Sequence, residues 1–245
     1  MRKIFIDKGN IKGKLAYIKG EDYHHLVTVL RLKRGDKIIA SDGLTEYDAY
    51  IEEIKKGKLI LFLEGELESN AESPLEISLF QGLPKSDKLE FIIQKGTEIG
   101  VKRFIPVITQ FSVVDIKKAN IDKKIDRWRK ISEEACKQSG RTSVPEICVP
   151  ILFEEAIGQV NEFDLCIIPY EKEEKIRLKE ILQNVKENKK IAIFIGPEGG
   201  FSQQEIELAL KKGIKPVSLG PRILRTETAA IVVSSIVMYE LGDIG

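Results

Sequence analysis

The chain has 245 residues, 42% of them hydrophobic and 31% charged, with 39 basic against 38 acidic side chains. That length holds one large domain or, more naturally, a small one and a larger one, and the composition excludes a disordered or fibrous chain. A net charge of +1 excludes an overall polycation, so a nucleic-acid partner has to be held by a local patch.

In chain order, Met1 to Asn10 mixes charges with single apolar residues and shows no secretory stretch. Short apolar alternations predict strands at Lys3–Ile6, Lys14–Ile18, Lys37–Ser41, Tyr47–Ile54 and Lys58–Gly65, separated by turns such as Arg34-Gly35-Asp36. A helix is expected at Asp22–Leu32, with Leu26, Val29 and Leu30 on one face. Residues 1–70 therefore read as a small β-barrel domain. A cluster of Ser, Asn, Ala, Glu and Pro near Glu68–Pro74 marks a boundary, and 74–245 forms the second domain.

Beyond the boundary, strands and helices alternate. Strands are predicted at Leu75–Gln81, Val101–Thr109, Asp164–Ile168, Lys190–Ile195 and Pro216–Leu219. Helices are predicted at Lys85–Gly96, Lys123–Ser139, Lys175–Asn188, Gln203–Lys212 and from Thr226 to about Leu241. This is the pattern of a mostly parallel α/β sheet covered on both faces, which places ligands beyond the carboxyl ends of its strands. The most apolar run, Ala229 to Met238, is shorter than the roughly 18–20 residues that span a membrane and reads as a buried helix.

Two segments carry chemistry. Gly196-Pro197-Glu198-Gly199-Gly200-Phe201-Ser202 follows the apolar strand Ile191–Ile195, and its glycines leave backbone amides open to a ligand. Gly199 is expected to leave room for that ligand. Ser202 and Glu205 have capping-box spacing, so a helix starts there. The alternative is a purely structural turn. Neither a dinucleotide fingerprint nor a phosphate-loop lysine is present.

The second segment, Leu219-Gly220-Pro221-Arg222-Ile223-Leu224-Arg225-Thr226-Glu227, also leaves a predicted strand through a Gly-Pro turn. Arg222, Arg225 and Glu227 stand in apolar surroundings, where a charge needs a partner or a ligand. Two such loops at neighbouring strand ends suit a small, flat, partly apolar ligand such as adenosine. An Arg225–Glu227 ion pair is the bland alternative.

Trp128 lies on a basic helix and reads either as core or as a stacking surface. His24 and His25 are the only histidines, and Cys136, Cys148 and Cys166 are odd in number and widely spaced. No metal site is expected, and a reducing, cytoplasmic setting is the simplest reading. Charge is uneven: 14 basic against 8 acidic residues lie between Lys85 and Arg141. Lys117, Lys118, Lys123, Lys124 and Arg127 are the expected RNA-backbone contacts, with a solvated helix face as the alternative. His24, Arg31 and Lys33 offer a further RNA surface on the first domain.

The two C-terminal segments together resemble the signature of the RsmE family. Further matches are Gln94-Lys95-Gly96-Thr97-Glu98-Ile99-Gly100, Gln138-Ser139-Gly140-Arg141 and Val29-Leu30-Arg31. The resemblance implies a PUA-like N-terminal β-barrel and a C-terminal SPOUT-type parallel-sheet methyltransferase domain with a trefoil knot, assembled as a homodimer. It implies S-adenosyl-L-methionine as cofactor and N3 of a uridine in 16S ribosomal RNA, alone or in the small-subunit particle, as target. The cofactor would be held by Pro169, Ile195, Gly196, Glu198, Gly199, Gly200, Leu219, Gly220, Ile223, Leu224 and Arg225.

Arg222, Arg225 and Glu227 are the catalytic candidates, the arginines stabilising charge on the base and Glu227 accepting the proton. Gln110-Phe111 stands where family members place Glu-Arg, so an RNA contact there passes to another residue, with Lys102, Arg103 and Lys117 the nearest cations. Two rival functions remain: ribose 2′-O-methylation, and a non-catalytic RNA-binding protein.

Overall fold

The computed structural model describes residues 2–68, 71–112, 118–185 and 190–245. The chain divides into two compact units, Met1–Glu72 with Cys136–Val144, and Ser73–Ala135 with Pro145–Gly245.

In the first unit, β1 (Lys3–Phe5), β2 (Ile11–Lys12), β3 (Leu15–Lys19), β4 (Lys37–Ser41), β5 (Glu46–Lys55) and β6 (Lys58–Leu67) form one sheet in the order β1-β4-β5-β6-β3-β2. The alternation seen in the sequence buries Ile38 and Ala40 of β4, Ala49 and Ile51 of β5, and Leu59 and Leu61 of β6 in one core. The expected helix is broken in two. α1 (Gly20–His24) runs into a π turn over His25–Val29, and Arg31 at φ 53° ends it. Both histidines are exposed.

Residues 136–144 are held within this unit by buried polar contacts. Glu72 accepts from Arg141 Nε and Nη2 at 3.2 and 2.9 Å and from the backbone of Thr142 and Ser143 at 3.0 and 3.1 Å. Ser41 Oγ donates to Thr142 O at 2.6 Å, and Lys3 bonds Glu46 and the carbonyls of Gly140 and Arg141.

The second unit is α/β. Its elements are β7 (Glu76–Gly82), α2 (Lys88–Ile99), β8 (Arg103–Ile108), α3 (Lys118–Ser139, whose end belongs to the first unit), β9 (Glu146–Ile147), β10 (Ile151–Leu152), α4 (Phe153–Gly158), β11 (Leu165–Pro169), α5 (Leu178–Gln183), β12 (Lys190–Ile195), α6 (Gln203–Lys211), β13 (Lys215–Val217) and α7 (Thr226–Leu241). The strand order is β10-β8-β7-β12-β11-β13, with β9 beside β8, and every ladder is parallel.

Successive residues of β12 feed opposite faces: Ile191, Ile193 and Ile195 enter one core, Ala192 and Phe194 the other. Each such aliphatic side chain contributes roughly 1.5–3 kcal/mol by leaving water. Phe194 stacks on its register partner Phe80 at 4.4 Å. Trp128 is 6% exposed and belongs to the first of these cores, not to a stacking surface.

β2, β9, β10 and α4 are not among the predicted elements, because their two- to six-residue lengths leave no measurable period. α5 is shorter than the expected Lys175–Asn188, and residues 186–189 lie outside the described set. Among the described residues, no helix is long and apolar enough to cross a membrane.

Candidate functional site

Because the sheet is parallel, β7, β11, β12 and β13 end at one edge, and the two glycine segments leave from that edge. They do not leave neighbouring strands, as the sequence suggested. β11 lies between β12 and β13, and its last residue, Pro169, pairs with Val217. The half-buried Pro169 therefore sits between the two loops.

The first loop is fixed by its own backbone. Gly200 has φ 68°, and a Cβ on Gly196 would lie 2.9 Å from Gly200 C, so only glycine fits there. The capping box forms: Ser202 Oγ accepts from Glu205 N at 3.3 Å, and Glu205 carboxylate accepts from Ser202 N at 2.8 Å. The other Glu205 oxygen accepts from Gln110 N at 2.9 Å, which ties the Thr109–Ser112 turn to the loop. That turn places Phe111 against Gly199, where an added Cβ would lie 2.9 Å from Phe111 Cβ. Gly199 is small because Phe111 packs on it. The room expected there for a ligand is taken up by Phe111.

Two ties hold the site together. The neutral one is Gln81, 1% exposed at the end of β7. Its Nε2 donates to Thr226 Oγ1 at 2.9 Å and to Gly82 O at 2.8 Å, and lies 3.4 Å from Gly196 O, while Thr226 Oγ1 donates to Gly196 O. The ionic one is Lys88, in the first turn of α2. Its ammonium is 2.8 Å from Glu198 and 3.5 Å from Glu227 Oε2. Glu198 also accepts from Lys85 N at 3.2 Å. Burial raises the Glu198 carboxyl, but Lys88 and backbone N–H groups outweigh it and leave it below the usual carboxylate range.

In the second loop, Gly220 has φ 101° and open space around its missing side chain. Leu219 and Leu224 are half-buried, whereas Ile223 is 87% exposed. Arg222 and Arg225 are exposed, contrary to the apolar setting expected for them. The chain passes outward through Pro221–Ile223 before Thr226 turns it back into α7, so both guanidinium groups stay in water. Glu227 pairs with Lys88 and not with Arg225.

Two acceptors here lack a hydrogen-bond donor among the described residues, Gln81 Oε1 and Glu227 Oε2, the latter having Lys88 only as an ion partner. Sequence alone gives no role to Gln81, Lys88 or Thr226 and no sign of the Phe111–Gly199 contact. A polar residue closing an apolar strand marks Gln81, but nothing local marks Lys88.

Two depressions lie elsewhere in this unit, on α2 and α3. One of about 490 Å³ is lined by Gln94, Lys123, Asp126, Arg127, Lys130, Ile131 and Glu134. Another of about 440 Å³ is lined by Leu83, Pro84, Asp87, Lys123, Lys124, Arg127 and Trp128, among others. Lys123, Lys124 and Arg127 are thus brought together, although Arg127 also pairs with Glu90 at 2.7 Å. Lys117 and the Lys118 side chain lie outside the described residues. Arg103 is engaged by Glu146 at 3.1 Å, and Lys102 is half-buried. His24, Arg31 and Lys33 are exposed in the first unit. The thiols are poor nucleophiles: burial pushes Cys166 up to about 11 and raises Cys148, and Cys136 is buried.

Residues 71–238 match the family described as RNA methyltransferase domain, and residues 18–64 match RNA methyltransferase PUA domain. Ribosomal RNA small subunit methyltransferase E of Bacillus subtilis is 37% identical over 229 residues, covering 91% of this chain and 89% of that protein. A Legionella pneumophila structure in complex with the cofactor SAM superposes with a TM-score of 0.88 at 35% identity, covering 99% of this chain and 98% of that one. A Neisseria gonorrhoeae ribosomal RNA small subunit methyltransferase E bound to S-adenosyl methionine gives 0.89 at 28% identity over the whole of both chains. With its PUA unit, its SPOUT-type parallel sheet and relatives of this name along nearly its full length, the chain belongs to the ribosomal RNA small subunit methyltransferase E family.

Proposed function

We propose that this protein transfers a methyl group from S-adenosylmethionine to N3 of a uridine in 16S ribosomal RNA. The carrying observation is the glycine loop Gly196–Gly200, fixed at the carboxyl edge of the sheet in a chain that matches these relatives over nearly its full length. The residues present suit the cofactor. Loop backbone is unobstructed at Gly220, and Gln81 Oε1 is an acceptor in want of a donor, which an adenosine amino group or ribose hydroxyl supplies.

The cofactor would lie against Ile195–Gly200, Pro169 and Leu219–Arg225, and when bound it supplies an electrophilic methyl group. The chain then has to present uracil N3, take its proton, and bear the charge that spreads to O2 and O4. Glu227 is the proton acceptor. Arg222 and Arg225, exposed beside it in sequence, meet the RNA and stabilise the developing charge. Lys123, Lys124 and Arg127 contact the phosphate backbone.

The segment after β13 threads the trefoil knot of the family, and the protein works in the cytoplasm as a homodimer. Support for the dimer comes from α7, which buries Ala229, Ala230, Val233 and Val237 yet leaves Ile236 and Tyr239 exposed. The function is tested by incubating 16S RNA with the protein and S-adenosylmethionine and analysing the nucleosides. N3-methyluridine is expected, and a 2′-O-methyl nucleoside as the product would replace this reading with its rival.

A further inference from the structure

Three segments distant in sequence meet at Lys88: the first turn of α2, the glycine loop through Glu198, and the first turn of α7 through Glu227. Because both carboxylates touch one ammonium, their contacting oxygens are no more than about 6 Å apart. Without a shared cation, two such carboxylates repel one another across the mouth of the loop.

We propose that Lys88 is a positioning residue for methyl transfer, one ammonium that clamps the cofactor loop to the start of α7 by neutralising Glu198 and Glu227 together. The proposal rests on the methyltransferase reading above. The neutral tie does not duplicate this function: Gln81 and Thr226 grip the backbone carbonyl of Gly196 and leave the Glu198 side chain unrestrained. The Lys85 backbone holds Glu198 from one side only. Hydrogen bonding to Glu198 raises the Lys88 ammonium above the usual lysine value, so the clamp stays charged throughout the neutral range. Lys88 is a third exposed, and its truncation opens no core cavity.

The test is calorimetric binding of S-adenosylmethionine to wild type, Lys88→Met, Lys88→Arg and Lys88→Met/Glu227→Gln. Lys88→Met should weaken binding about tenfold. Lys88→Arg restores a cation, and Glu227→Gln removes the repulsion, so both should bring affinity back to within about threefold of wild type. A purely structural role for Lys88 predicts no rescue by Glu227→Gln. Wild-type affinity in Lys88→Met, or a loss that either second change fails to recover, overturns the proposal. Should Lys88→Met not fold, the double variant is read against Glu227→Gln alone: similar affinity supports the clamp, and tenfold weaker affinity overturns it. A wild-type protein that binds no S-adenosylmethionine overturns the function reading first, and that arm separates the two failures.

Discussion

Gly199→Ala adds one methyl group where the structure has no room for it. The new carbon falls 2.9 Å from Phe111 Cβ and 3.3 Å from Cγ, some tenths of an ångström inside ordinary contact. Phe111 cannot swing clear, because its Cβ moves only with the backbone of the 109–112 turn. That turn is pinned by Glu205 to Gln110 N at 2.9 Å and by Ser112 Oγ to Thr109 N at 3.0 Å. Overpacking of this kind costs about 1–3 kcal/mol. The cost is relieved by displacing the glycine loop, so it is read as cofactor affinity, roughly 5- to 150-fold weaker. Phe111→Ala by itself should change affinity little, and Gly199→Ala/Phe111→Ala should recover most of the loss, giving a coupling of about 1 kcal/mol or more in a double-mutant cycle. Calorimetry with S-adenosylmethionine and thermal melts on the four proteins supply the cycle. Equal losses in Gly199→Ala with and without Phe111 would refute the reasoning, since the ligand rather than Phe111 would then fill that space.

Other perturbations have equally definite outcomes. Burial raises the Glu72 carboxyl, but Arg141 and backbone N–H groups outweigh it, so its folded value lies below its unfolded 4.5. The stability it contributes is therefore present above about pH 4.5 and lost as pH falls through the folded value. Glu72→Gln should cost about 3 kcal/mol at pH 7, because it removes a charged partner from the 3%-exposed Arg141. Urea midpoints should then show no difference between variant and wild type at low pH. Lys123→Glu/Lys124→Glu should weaken RNA binding and lower the slope of log affinity against log salt by about 0.7–0.9 per lost phosphate contact, with cofactor affinity unchanged. An unchanged slope would leave the lysines as a solvated face. The Cys166 thiol, raised to about 11, should resist alkylation in the native protein at pH 7 and react only on unfolding, as followed by mass spectrometry.

Long periodic elements were legible before the structure. β4, β12 and α7 occur at the expected bounds, and the Ser202–Glu205 spacing forms the capping box it announces. The glycine segments were legible too, because missing side chains at a strand end carry a local steric meaning. What could not be read was which strand lies between which. β11 enters between β12 and β13 through pairings that no local pattern encodes. The same limit hid the site's fixings. Lys88 is 110 residues from Glu198, and Phe111 is 88 from Gly199, so neither contact leaves a trace in spacing. The exposure of Arg222 and Arg225 was misread because apolar neighbours in sequence are not neighbours in space: Ile223, between them, is itself in solvent.

The central claim, methylation of uridine N3 in the small-subunit RNA, is tested most directly by primer extension on that RNA from cells lacking this protein. N3 methylation removes a Watson–Crick donor, so reverse transcriptase halts one nucleotide before the modified base. The account predicts a stop in wild-type cells that vanishes without the protein and returns when the protein is supplied. A stop pattern identical in both strains would contradict it.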